Sequence, residues 1–199
     1  MKLHCATTNP GKLREFQQAA SHFGAGIKIE SVAGLRLLPA PAETGSTFRD
    51  NAILKAEYYS RHCQGLLFAD DSGLSVDALE GAPGVYSARY AGEYAGDKAN
   101  NERLIASMRG KTQRSARFIC VIALARDGEL IQTFDGLVEG EILEQERGGL
   151  GFGYDPLFFF PPYGCTLAEM DESRKMSVSH RGAAIEKMLR YLAGPGRAA

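Results

Sequence analysis

The chain has 199 residues, with 23 Lys and Arg set against 24 Asp and Glu for a formal charge of −1. A composition that is 44% hydrophobic and 24% charged belongs to a folded globular chain and excludes disorder as the default, and the length suffices for one sizeable core or two lobes sharing a sheet. The near-neutral balance excludes a field able to grip a long nucleic acid, so an anionic ligand has to be met by local clusters of cations.

No membrane or export segment is expected. The strongest apolar run, residues 119–125, is far too short to span a bilayer, and the first four residues lead into Asn9-Pro10-Gly11 without the apolar core of a signal peptide. Cysteines at positions 5, 63, 120 and 165 form no Cys-x-x-Cys pair, which fits a reduced, cytoplasmic protein.

Residues 2–6 read as a short strand, followed by Thr7-Thr8-Asn9-Pro10-Gly11-Lys12 and a helix with apolar positions at Leu13, Phe16, Ala20 and Phe23. A strand, a small-residue turn and a helix N-terminus make an anion pocket in which free backbone N–H groups, hydroxyls and the Lys12 ammonium face the turn. The same arrangement is also ordinary α/β architecture, and the Walker spacing G-x-x-x-x-G-K-[ST] is absent. Residues 27–32 read as a second strand, and a Pro-rich connection over 38–42 leads to Glu43-Thr44-Gly45-Ser46-Thr47-Phe48. Thr47 with Asp50 is a capping-box pattern. The helix it opens carries Phe48, Ala52, Ala56, Tyr59 and Cys63 on one stripe and Asn51 with Lys55 on another, a face that either reaches a cleft or is solvated.

The apolar run 65–69 feeds into Asp70-Asp71-Ser72-Gly73, which reads as a strand end opening into a cleft, although those four residues also compose a turn. Adjacent carboxylates repel, so keeping both ionised requires a cation or several donors, and a hard oxygen site of this kind suits magnesium. Residues 77–96 are expected to form a structured loop with a short helix, before a helix over 97–109 that buries Leu104, Ile105 and Met108. Residues 116–125 are apolar on both alternations and read as a strand buried on both faces. Asp127-Gly128 turns into a strand over 130–134, and Asp135-Gly136 is expected to turn again into a strand over 137–142, an antiparallel meander that argues for a mixed sheet flanked by helices.

In Gly148-Gly149-Leu150-Gly151-Phe152-Gly153-Tyr154-Asp155-Pro156 the glycines let backbone approach a ligand and leave Phe152 with few neighbours. Its ring either packs in the core or stacks on a nucleobase, a contact worth about 1–3 kcal/mol. Lys175, His180 and Arg181 gather at the start of the last helix, whose buried side holds Ile185, Met188, Leu189 and Leu192. A helix N-terminus prefers acids, so this cationic cluster is better explained by a bound anion or carbonyl-rich ligand than by the helix dipole.

Six blocks in register carry a closer likeness: Thr7 to Lys12; Glu43 to Phe48 with Asn51-Ala52-Ile53-Leu54-Lys55-Ala56; Ala69-Asp70-Asp71-Ser72-Gly73-Leu74; Gly84-Val85-Tyr86-Ser87-Ala88-Arg89-Tyr90; Gly151 to Pro156; and Ser179-His180-Arg181. In this order and almost end to end, the chain resembles the inosine triphosphate pyrophosphatase family. The resemblance implies an α/β fold with a long mixed sheet flanked by helices, two lobes and a central active-site cleft, formed as one domain over 1–194 with a tail at 195–199. It implies hydrolysis of ITP, dITP or XTP between the α- and β-phosphates to the monophosphate and pyrophosphate, with Mg2+ as cofactor and a homodimer as the assembly.

Residue by residue, Asp71 would be metal ligand and base, Asp70 would support the same metal, and Glu43 would be either a further ligand or a carboxylate just behind the ligands. Thr7, Thr8, Asn9, Gly11 and Lys12 would cradle the triphosphate, Lys55 would neutralise its charge and Ser72 would touch substrate. Phe152 would stack on the base, with Gly153, Tyr154, Asp155, Lys175, His180 and Arg181 around the purine edge. Lys175 and Arg181 are donor-only side chains and hence the natural readers of a 6-keto oxygen. One position departs: many bacterial members carry an acid directly before the Glu43 equivalent, and here it is Ala42. The competing readings are a Maf-like pyrophosphatase acting on modified pyrimidines and a nucleotide-binding sensor without turnover.

Overall fold

The computed structural model describes residues 1–23 and 26–194, so the expected tail at 195–199 lies outside the described residues. β1 (Lys2–Cys5) is followed by Asn9, whose side-chain oxygen accepts from the Gly11 and Lys12 N–H groups and starts α1 (Pro10–His22). Pro10 sits in the first turn, where a missing N–H costs nothing. β2 (Lys28–Ser31) returns parallel to β1. α2 (Phe48–Ser60) starts at Thr47, whose hydroxyl accepts from the Asp50 N–H at 3.1 Å. β3 (Leu67–Val76), short 3-10 turns at Asp77–Leu79 and Gly84–Arg89, and α3 (Asp97–Ser107) lead to the long hairpin of β4 (Ser115–Arg126) and β5 (Glu129–Ile142). Short strands β6 (Phe158–Phe160) and β7 (Cys165–Thr166) precede α4 (Glu172–Val178) and α5 (His180–Ala193).

The described residues form a seven-stranded mixed sheet in the order β2-β1-β3-β4-β5-β6-β7. β2, β1 and β3 are parallel, and every later pairing is antiparallel. On one face Phe68, Cys120, Ile122 and Leu124 pack against Phe16 of α1 and Ile185 and Met188 of α5. On the other, Leu67, Ala69, Val121 and Ala123 pack against Ala52, Ala56 and Tyr59 of α2. A further core gathers Leu74, Val76, Phe118 and Val138 around Leu104 of α3 and Leu157 and Phe158. Phe68 thus belongs to one core and Leu74 to another, while Asp70 and Ser72, which share their strand face by the period of two, lie between the two cores. This gap is the cleft between two lobes.

Two expectations need correction. Asp70-Asp71 is neither a strand end nor a turn, because β3 runs through it in unbroken register with β4, from Leu67 opposite Ala125 to Val76 opposite Ala116. What ends is its other neighbour: β1 pairs with β3 only at His4 opposite Leu67 and Cys5 opposite Phe68. The carboxylates therefore stand just past the end of the parallel pair, the place where α/β sheets open to ligands.

Asp135-Gly136 is likewise no turn, since β5 passes straight through it with Asp135 opposite Val121 and Gly136 opposite Cys120. The glycine is there for α5: a Cβ at Gly136 would lie 2.6 Å from the Ala184 nitrogen and collide with the His180 carbonyl. Backbone cannot move aside as a side chain can. Gly136→Ala is expected to lower stability by about 2–3 kcal/mol in urea unfolding, whereas Leu137→Ala, at a half-exposed neighbouring position, changes it by less than about 1 kcal/mol.

Candidate active site

Successive strand residues point to opposite faces, so Asp70 and Asp71 do not confront each other. Asp70 faces α1 and α5. Its Oδ2 accepts from Lys12 Nζ at 2.8 Å and from the Ser72 hydroxyl at 3.1 Å, and Arg181 Nη2 donates to the same hydroxyl at 3.1 Å. Burial pushes the Asp70 carboxyl up, but Lys12, Arg181 and Lys55 together outweigh it and hold the group at about 2. Asp71 faces α2, where Lys55 Nζ donates to Oδ1 at 2.8 Å and Asn51 Nδ2 lies 3.4 Å from Oδ2. Here burial, aided by the nearby Glu43 charge, prevails over Lys55 and raises the carboxyl above its ordinary range. Two acids adjacent in sequence are driven apart, one firmly ionised and the other more basic.

Lys55 also bonds Glu43 Oε1 at 2.9 Å, and Arg89 Nη1 lies 3.7 Å from Glu43 Oε2. Burial raises the Glu43 carboxyl, and Lys55, Arg89 and Lys12 bring it below its ordinary value. Asn51 accepts from the Gly45 N–H at 2.8 Å and so ties the Glu43 segment to α2. The Glu43 and Asp71 carboxylates thus converge on one ammonium, a spot that already stabilises positive charge and offers hard oxygen donors. Among the described residues no three His, Cys, Asp or Glu side chains group closely enough to hold a metal. Two carboxylates are hard oxygen donors, a set that suits a divalent cation better than a soft transition metal.

The opposite side of the cleft carries Phe152. Its half-buried ring lies against Gly11, where a Cβ would approach to 2.8 Å, and Lys175 Nζ and Arg181 Cζ stand 5.0 and 5.3 Å from the ring centroid. A cavity of about 130 Å³ is lined by Gly11, Glu15, Phe152, Met170, Lys175 and Met176. Lys175 bonds both Glu15, at 2.7 Å, and Asp155, while Arg181 bonds the other Glu15 oxygen. Burial raises the Lys175-paired Asp155 carboxyl; for Glu15 burial is overcome by Arg181 and Lys175, which lower it. The cluster expected at one helix start is divided between Lys175, in the last turn of α4, and Arg181, at the start of α5, and both find their anion within the chain, in Glu15, rather than requiring a ligand.

The remaining expected residues fall into three groups. Thr7 and Thr8 line the β1–α1 turn, but the Gly11 and Lys12 N–H groups are already taken by Asn9 Oδ1 at 2.8 and 3.1 Å, so they are not free donors as the motif suggested. Gly153 donates its N–H to Asp97 at 2.7 Å, and the buried Tyr154 hydroxyl donates to the Ser87 carbonyl at 2.8 Å. His180 lies 4.8 Å from Phe118 in a parallel stack; burial and the Arg181, Lys175 and Lys12 charges push it well below its ordinary value, which keeps the ring neutral.

The Ham1 family model matches residues 3–191. The chain belongs to the Ham1 family. Among family relatives, a dITP/XTP pyrophosphatase of Acidobacterium capsulatum is 48% identical over 204 residues, covering 98% of this chain and 99% of that protein. One of Bacillus subtilis is 45% identical, covering 94% of each. The Staphylococcus aureus Ham1 protein structure superimposes with a TM-score of 0.84 at 38% identity, covering 96% of this chain and 98% of that one.

Three cleft residues escaped the sequence reading. Glu15 stands three positions after Lys12, on the same helix face, and that spacing was the available signal. Asn51 shares a helix face with Lys55, and Arg89 lies inside a motif block, but neither position assigns a role by itself. Asp70 gives the acid limb of stability. Its depressed carboxyl contributes fully above an ordinary value of 3.8 and loses that contribution as pH falls toward 2. In EDTA, Asp70→Asn is expected to remove about 2–3 kcal/mol at neutral pH and to flatten the decline below pH 4 relative to wild type. The difference between the two proteins is the readout, because the raised Asp71 and Asp155 act with the opposite sign.

Proposed function

We infer that the chain hydrolyses non-canonical purine nucleoside triphosphates, ITP, dITP and XTP, to the monophosphate and pyrophosphate. The observation that carries this reading is the Asp70-Asp71 pair: two adjacent carboxylates on opposite faces of one strand, each served by a lysine from a different helix. Lys12 and the Thr7 and Thr8 hydroxyls meet the triphosphate on one side of β3, and Lys55 meets it on the other. Asp71, made more basic by burial, takes the proton of the attacking water as the bond between the α- and β-phosphates breaks, and pyrophosphate leaves between the lysines. A divalent cation, magnesium by its oxygen donors, would be held by Asp71 and Glu43 and would neutralise phosphate charge when bound. Asp70, across the strand, fixes Lys12 and Ser72.

Phe152 stacks on the base, and the donor-only Lys175 and Arg181 favour a 6-keto over a 6-amino purine, since a donor facing an amino group leaves both unpaired. Tyr154, bonded to Ser87, and His180, stacked on Phe118, are buried and act by packing rather than by touching the base. The reading further includes a homodimer in the cytoplasm, a compartment in which the free thiols at Cys5, Cys63, Cys120 and Cys165 would stay reduced.

A pyrophosphate-release panel of ITP, dITP, XTP, dUTP and the standard nucleotides is expected to favour the 6-keto, non-canonical purines over ATP by about 10²-fold or more in kcat/KM; preference for a pyrimidine would instead support the Maf-like reading. Asp71→Asn is expected to lower kcat by about 10²–10⁴-fold, and unaltered turnover would remove Asp71 as base. Glu43→Gln should raise the magnesium concentration giving half-maximal rate; unchanged metal dependence would take Glu43 out of the shell.

A further inference from the structure

The ring of Phe152 is carried by a loop with Gly151 at φ +76 and Gly153 at φ +63 on either side, a backbone free to take many arrangements unless something holds it. The holder is α3. Asp97 Oδ2 accepts the Gly153 N–H at 2.7 Å, and Asn101 Nδ2 donates to the Gly153 carbonyl at 3.2 Å, so both hydrogen-bonding groups of that residue are taken by one helix. Asn101 is buried, and its amide also donates to Glu146 at 2.6 Å, in the segment leading into the loop. Before the ring, the Phe152 N–H donates to Asp155 Oδ2 at 2.9 Å. The preceding α3 residue, Asn100, grips the other motif loop in the same manner, accepting from the Ala91 N–H at 2.8 Å and donating to the Ala88 carbonyl at 3.2 Å. Two consecutive asparagines thus bind the segments that flank Phe152 and Arg89 to the same helix.

We propose that Asp97 and Asn101 are positioning residues for the substrate base: they hold the Phe152 ring in the plane on which the base stacks, and so set affinity and base selectivity rather than the chemical step. The proposal rests on the reading of Phe152 as the stacking surface. Its physical content is preorganisation, because a loop ordered before binding does not charge its ordering entropy against affinity. Asp97 is exposed, so its replacement leaves the core untouched.

The chain contains no tryptophan, so Phe152→Trp places a single indole at the surface in question. In EDTA, ITP is expected to quench that indole, and adding Asp97→Ala should weaken the titration about five- to tenfold. With Phe152 intact, Asp97→Ala should raise KM for ITP by a similar factor with kcat within about twofold, and Asp97→Asn, which keeps the acceptor oxygen, should restore most of it. Inhibition by inorganic tripolyphosphate, which has no base, should be unchanged. Asp97→Ala combined with Phe152→Ala should lose no more than Phe152→Ala alone. If the two effects multiply, or tripolyphosphate inhibition weakens by the same factor, the positioning role is overturned. If ITP is turned over yet leaves the indole unaltered, the stacking reading falls and takes the proposal with it.

Discussion

The period-two alternation of β3 is the constraint on which the site depends. Had Asp70 and Asp71 occupied a turn, the two carboxylates would have shared one solvent pocket and one set of counter-ions. In a strand they are separated by the sheet itself, each buried against a different helix layer and each provided with its own lysine. Their environments diverge accordingly. Several cations surround Asp70 and burial cannot prevent its ionisation, whereas Asp71 has Lys55 in contact and Glu43 as a competing charge. One strand thereby presents a firmly ionised carboxylate and a more basic one at consecutive positions.

The cleft is charge-balanced before any ligand enters. Lys12 meets Asp70, Lys55 meets Asp71 and Glu43, Arg89 lies 3.7 Å from Glu43, Lys175 meets Glu15 and Asp155, and Arg181 meets Glu15. Such pairs contribute little net stability, since desolvation consumes most of the Coulomb gain, but removing one partner strands a buried charge. A triphosphate with its cation brings both signs, and so can exchange with these pairs without leaving any member unpaired. A long polyanion without a cation could not, which agrees with the near-neutral charge of the whole chain.

The two glycine-dependent contacts differ in kind. Gly136 permits α5 to press against the centre of β5, which brings Arg181 over the sheet toward Ser72. Gly11 permits the Phe152 ring to lie against the start of α1, joining the Phe152 side of the cleft to the Lys12 side. In both places the missing Cβ sets the distance between elements far apart in sequence.

Much was legible from local pattern. The strand-turn-helix at Thr7 to Lys12, the Thr47 cap, the doubly apolar β4 and the last helix each declare themselves within about ten residues, because hydrophobic period and capping chemistry are local properties. Residue types able to handle phosphate, a hard cation and a base were equally visible in the motif blocks. What the chain could not declare locally was pairing. Asp135-Gly136 has the composition of a turn, and only the approach of α5 explains its glycine; Lys55 looks solvated until Asp71 and Glu43 close on it; Glu15 is one acid among 24 Asp and Glu until the fold brings Lys175 and Arg181 to it across 160 residues and more. The sequence by itself therefore determined which elements form and which chemistry they carry. The tertiary structure alone decided which charge faces which, because electrostatic partnership depends on distance and burial, and both are set by packing between elements remote in the chain.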